Sequence, residues 1–210
     1  MKAGVASALA AMAALRRSGL AFGGELLFAG VADEELGSAG ARALVSRPGF
    51  RADAAIIGEP TSLSICLGHR GLEWFTVDFE GRAVHGGDQE NGISAIDHAA
   101  RFVVELRDEL APVLAGRRHP LLGPSTVNVG TIGGGTQPST VAGSCSLSID
   151  RRFLPLERYD DVVAELAALA ERRMAAAPGL SVSVRVMDSS LMPGGFVHQP
   201  ALVEAGHTLV

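Results

Sequence analysis

The chain has 210 residues, 47% of them hydrophobic and 20% charged, with a formal net charge of −5. The high apolar fraction and small net charge exclude intrinsic disorder, and an acidic balance offers no electrostatic footprint for nucleic acid. Two cysteines, Cys66 and Cys145, are too few for a disulfide scaffold and lack zinc-finger spacing.

Residues 5–17 are alanine-rich and predict a helix that ends at Ser18-Gly19. The apolar run within it is brief and is followed by Arg16-Arg17, the reverse of the charge order of an export signal. No stretch approaches the roughly 20 apolar residues of a membrane span. The expectation is therefore a soluble, cytoplasmic protein with neither a membrane nor a nucleic acid as partner. Residues 25–32 form a nearly continuous apolar run, the pattern of a strand buried on both faces in a parallel sheet. This run stops at Asp33-Glu34-Glu35. A short helix is expected over 38–46, closed by Arg47-Pro48-Gly49, and a second buried strand over 54–57 stops at Gly58-Glu59-Pro60. Both strands would thus carry carboxylates at their C-terminal ends, the edge where open α/β sheets bind ligands.

From Gly71 the pattern changes to alternation. Phe75, Val77 and Phe79 face one way, and Thr76, Asp78 and Glu80 face the other. The same period recurs at Val127 and Val129, at Cys145, Leu147 and Ile149, and at Val182, Val184 and Val186. Amphipathic helices are expected over 93–110 and 157–176. The order β-α-β-β-α-β is that of a ferredoxin-like sandwich, with helices on one side of the sheet only. The predicted organisation is a partial, mostly parallel α/β domain over 1–70 with an inserted sandwich over 71–188. Residues 189–210 then begin a return to the first domain, with a helix over 199–209.

Adjacent Glu34 and Glu35 at a strand end suit two different tasks, one ligating a metal and one holding and deprotonating a water. Glu59, at the end of the neighbouring strand, could ligate a second metal. Longer motifs follow in order: Met1-Lys2-Ala3-Gly4, Ala32-Asp33-Glu34-Glu35-Leu36-Gly37-Ser38 and Ile57-Gly58-Glu59-Pro60-Thr61. Gly81-Arg82-Ala83-Val84-His85-Gly86-Gly87, Asn91-Gly92-Ile93-Ser94-Ala95-Ile96 and Gly133-Gly134-Gly135-Thr136-Gln137-Pro138-Ser139-Thr140-Val141 continue the series. Asp150-Arg151-Arg152-Phe153-Leu154-Pro155-Leu156-Glu157 completes it. Together these resemble the M20 metallopeptidase family, in the branch of acetylornithine deacetylase and succinyl-diaminopimelate desuccinylase.

The resemblance implies a hydrolase with two zinc ions per site, or cobalt or manganese in their place, that cleaves the amide of an N-acyl amino acid or small peptide with a free carboxylate. It implies that Glu34 is the general base, that Glu35 and Glu59 are zinc ligands, and that the inserted sandwich is a lid through which the protein forms a homodimer. It also implies that His85 reaches a partner's site to stabilise an oxyanion, a role that fits an imidazole donor in a closed site. Arg152 resembles the arginine that grips the substrate carboxylate. Alternation puts Arg152 on the polar face with Ser148 and Asp150, whereas Arg151 falls on the other. Arg151 remains open as the alternative, and a surface ion pair is the plain reading for either. Asn128, on the polar face of its strand, is a candidate for lining the lid, with a solvated role as its alternative.

The sequence also departs from the family. Ser139 stands where many members have Asn, and Ala142 where they have Pro. The family's His-x-Asp motif, the Asp before Met-Lys-x-Gly and the distal His do not occur here, which leaves Glu35 and Glu59 as ligands. Two carboxylates without a nitrogen make a poor zinc site. The expectation is a chain truncated at both ends that has little or no hydrolase activity alone, with a non-catalytic dimerisation module as the second reading.

Overall fold

A computed structural model of the chain describes residues 2–34, 38–60, 62, 64, 66–187 and 200–202. They fall into two compact units, one holding Met1–Cys66 and the other Leu67–Asp188.

In the first unit, α1 (Lys2–Ser18) covers the predicted helix. Arg16 and Arg17 sit in its last turn, where they complement the helix dipole. Gly19 follows at φ +70°, the left-handed conformation that ends many helices and that glycine adopts without strain. The second helix, α2 (Ala39–Val45), also lies where the sequence predicts one. The two buried strands do not form. Residues 25–32 and 54–57 have no strand pairing, and their apolar side chains face solvent, with Leu27 60% and Ile56 99% exposed. A strand buried on both faces needs hydrogen-bonded neighbours and covering layers, and the described residues of this unit supply neither. No described residue before Leu67 is buried.

All of the described core belongs to the second unit. In chain order its elements are β1 (Gly68–His69), β2 (Gly71–Glu80), α3 (Ala95–Glu105), α4 (Ala111–Gly116), β3 (Arg118–His119) and β4 (Gly123–Pro124). They continue with β5 (Thr126–Gly134), β6 (Ser144–Phe153), α5 (Tyr159–Ala175), β7 (Ser181–Val186) and β8 (Ala201–Leu202). A π-turn at Leu106–Leu110 joins α3 to α4, so the predicted helix runs on past residue 110. The main sheet has the order β5-β6-β2-β7 and is antiparallel throughout. That is the ferredoxin-like order the alternation predicts. Phe75, Val77 and Phe79 on β2 pack with Leu147 and Ile149 on β6 and with Phe102, Val162 and Leu166 of the helices. Phe79 meets Phe102 edge to face at 5.6 Å. The helix expected over 199–209 is corrected at its start. Residues 201 and 202 pair with His69 and Gly68, and 203–209 lie outside the described residues. Ladder hydrogen bonds to β1 hold this backbone extended and prevent helical i to i+4 bonding there.

One face of the sheet carries charge into the core. Arg151 is fully buried, and its Nη2 donates to Glu157 Oε1 at 2.6 Å and to Glu165 Oε2 at 3.0 Å. Arg117 joins the same two carboxylates, at 3.0 Å to Glu157, and Ser125 Oγ donates to Glu157. Burial alone would push the Glu157 carboxyl up, but bonds from Ser125, Arg151 and the Leu154 N–H together hold it below the usual carboxylate range. Glu73, directly across from Arg151 in register, is also fully buried. Its carboxyl accepts from Tyr159 Oη at 2.8 Å and from the Trp74 N–H at 3.0 Å. Burial nevertheless raises its pKa above the ordinary 4.5.

Two outcomes follow from these buried charges. Arg151→Ala removes the buried cation and leaves Glu157 and Glu165 to Arg117 alone, and it should cost about 3 kcal/mol in urea unfolding, the low end for a broken buried pair. Glu73 favours the fold below its unfolded pKa, and that contribution is lost as pH rises through the higher folded value. Glu73→Gln should therefore raise the thermal midpoint at pH 7 and give no gain at pH 4, a contrast that calorimetric scans at both pH values would check.

Candidate functional site

The acidic residues of the first unit sit where the chain makes close backbone contacts. Asp33 adopts φ +69°, and its Oδ2 accepts from the Ala39 N–H at 3.4 Å at the start of α2. Glu34 follows on the turn with its side chain exposed. A Cβ on Gly4 would lie 2.6 Å from the Gly58 carbonyl oxygen, so only glycine lets the start of α1 meet the backbone beside Glu59. Glu59 is exposed, and Glu35 lies outside the described residues. Among the described residues no three His, Cys, Asp or Glu side chains converge as a metal site. Glu34 and Glu59, the described candidates, offer oxygen donors alone, a set that suits zinc poorly.

In the second unit, His85 is fixed by its loop. The loop neck is closed by paired bonds between Arg82 and Ile93, each 3.0 Å, and a Cβ on Gly81 would fall 2.1 Å from the Ile93 oxygen. Gly86 N–H donates to Ser139 O at 2.7 Å, and Val141 N–H to Val84 O at 2.9 Å, which ties the loop to residues 139–141. His85 caps the short 3-10 turn Gly86–Asn91, and its Nδ1 accepts from the Gly87 N–H at 3.1 Å. A backbone N–H can only donate, so Nδ1 carries no proton and the neutral ring holds its proton on Nε2. The side chain is exposed, which leaves Nε2–H as a donor. Beside the loop lies a depression of about 510 Å³ lined by Gly86, Ser94, Asp97, Gln137 and Thr140.

On the open face of the sheet, Arg152 is 39% exposed at its side chain. Its Nε and Nη2 donate to Asp150 Oδ1 and Oδ2, both at 2.8 Å. The Trp74 indole N–H donates to Asp150 Oδ2 at 3.0 Å. Asn128 is exposed and stands across from Asp150 on β5, and Thr126 stands across from Arg152. Arg70 reaches this corner, with Nη1 donating to Pro124 O at 2.9 Å and to Thr126 Oγ1 at 3.3 Å. Further along the same face, burial opposes ionisation of Asp78, but bonds from Ser146 and Arg185 outweigh it and hold the carboxyl below its usual range.

The structure thus brings Arg152 and Asn128 to one corner of one sheet face and sets His85 in the loop that follows β2. The sequence reading put Asp150 on the face of Arg152 without giving it a role, and it missed Trp74 and Arg70 as members of that corner. The i, i+2 spacing of Asp150 and Arg152 on one strand is the signal that finds Asp150. Cross-strand register supplies the other two, and it cannot be read from spacing. The ion pair named as the plain alternative for Arg152 is the arrangement found, while Arg151 is buried and committed elsewhere.

The family model described as "Peptidase dimerisation domain" matches residues 67–178. A Peptidase M20 domain-containing protein of Schizosaccharomyces pombe is 32% identical over 79% of this chain and 40% of its own length. An acetylornithine deacetylase of Pasteurella multocida is 34% identical over 67% of this chain and 38% of its own length. The matches therefore span about two fifths of each relative's length. Among solved structures, an aminobenzoyl-glutamate utilization protein from Klebsiella pneumoniae matches with a TM-score of 0.47 and 24% identity, over 59% of this chain and 30% of that one. No described helix is long and apolar enough to cross a membrane.

The capping bond at His85 makes a direct spectroscopic prediction. In the neutral ring, nitrogen-15 spectra should assign His85 to the Nε2–H tautomer, and an Nδ1–H signal there would contradict the cap.

Proposed function

This chain belongs to the peptidase M20 family, whose dimerisation domain it carries, and from that premise we propose that it is the lid-bearing part of an amidohydrolase. The substrate class is an N-acyl amino acid or small peptide with a free carboxylate. The matched dimerisation domain carries the reading, and the deacetylase among the relatives supports the substrate class.

In this reading Arg152 binds the substrate carboxylate, as a guanidinium fork suits, and Asn128 lines the same face. His85 offers its Nε2–H to the oxygen that gains negative charge as the amide carbonyl is attacked, in a partner's site across a homodimer. A donor held in place before the reaction loses no reorganisation energy during it, and removing such a donor costs about 2.7–4 kcal/mol of transition-state stabilisation. Glu34 takes the proton of the attacking water. Glu35 and Glu59 are the carboxylates this chain would offer to a zinc pair. A set of two carboxylates with no imidazole does not fit zinc, so the 210-residue chain is expected to be inactive alone.

A second reading keeps the sandwich and drops the chemistry. In it the chain is a dimerisation module, favoured by the observation that every buried residue described lies in the second unit.

Incubated with zinc and N-acetyl amino acids, the chain should show no amide hydrolysis above buffer, and turnover would sink the ligand argument. Light scattering should give one species of twice the 21.7 kDa chain mass. A monomer would remove the support for both the cross-dimer role of His85 and the second reading.

A further inference from the structure

Arg152 is already held before any ligand arrives. A guanidinium has two edges that can fork onto a carboxylate. The Nε/Nη2 edge of Arg152 is spent on Asp150, with both bonds at 2.8 Å. Nη1 makes no bond among the described residues, so with the second hydrogen of Nη2 it leaves the other edge open. Asp150 is in turn fixed by the Trp74 indole at 3.0 Å, so three side chains on two adjacent strands make one rigid unit. Trp74 and Asp150 are directly paired in register, and Arg152 is two residues on, along the same face. An isolated arginine on a strand would lose rotamer entropy on binding a ligand, whereas this one has lost it on folding.

Pairing with Asp150 would neutralise the corner were it not for Arg70. Among the described residues Arg70 bonds only carbonyl and hydroxyl oxygens, at Pro124 and Thr126, and Thr126 is the residue across from Arg152. The corner therefore holds two guanidiniums and one carboxylate, which Arg152 alone engages, and it keeps a positive charge for an anionic ligand.

We propose that Asp150, anchored by Trp74, is a positioning residue that aims the free edge of Arg152 at a ligand carboxylate on the open face of the sheet. This rests on the reading of Arg152 as the carboxylate-binding residue and adds the two residues that orient it. The bidentate bond sets the guanidinium plane, and the indole sets the carboxylate that carries it. Loss of either lets the fork swing.

Trp74 is the single tryptophan of the chain, so its emission and its indole N–H resonance report on Asp150 directly. Titration with N-acetyl-L-alanine should shift both saturably. The corresponding amide, which has no carboxylate, should leave both unmoved. Asp150→Asn keeps an acceptor for the indole but removes the charge that holds Arg152, and calorimetry should read a loss of affinity of about tenfold. Trp74→Phe keeps most of the ring and removes the indole N–H. It should weaken binding about threefold, and it keeps the proposal testable should Asp150→Asn not fold. Arg152→Met should abolish binding. If Arg152→Met abolishes binding while both other variants keep wild-type affinity, positioning is overturned and the Arg152 reading stands. If Arg152→Met binds like wild type, or wild type gives no saturable shift, the Arg152 reading falls and positioning falls with it.

Discussion

The guanidinium of Arg151 lies fully buried beside the carboxylates of Glu157 and Glu165, and the second unit is organised around it. Glu157 follows β6, Glu165 lies on α5, Arg117 comes from the end of α4, and Ser125 from the turn into β5. Removing the central cation would leave two carboxylates to share the partly exposed Arg117, which costs more than the cluster contributes relative to an apolar substitute. Such a cluster specifies one arrangement: α5 cannot slide along the sheet without uncovering a carboxylate. The sandwich is thereby pinned at the end of β6 where the chain presents its open-face residues.

Arg151 and Arg152 show how a strand divides labour between neighbours. Successive side chains point to opposite faces, so one arginine is buried in an ion cluster while the next is half-exposed beside Asp150. A register slip of one residue would exchange them. The slipped state would bury the wrong partners and open the cluster. The stability of the buried face therefore also guards the geometry of the open one, because β6 cannot shift for one without shifting for the other.

His85 depends on a different constraint, the close approach of backbones. At Gly81 in the loop neck a side chain would collide with the Ile93 carbonyl oxygen, and at Gly86 it would press tightly on that of Ser139. With those contacts made, the Gly87 N–H meets Nδ1 and the ring's donor is left on Nε2. A proton position is thus decided by a glycine-rich loop.

Much of the second unit was legible in the sequence because alternation is local. Phe75, Val77, Phe79, Leu147 and Ile149 mark the buried face by period alone, and the motifs from Gly81 to Glu157 carried the family. The same argument placed Arg152 on the open face and Arg151 opposite. The sequence misled at residues 25–32 and 54–57, where an apolar run has strand character but forms a strand only when another strand pairs with it. The bond from Trp74 to Asp150, the approach of Arg70 and the cluster joining Arg117 to Glu165 are likewise non-local. They depend on which strands are neighbours and in what register, and only the tertiary structure decided that.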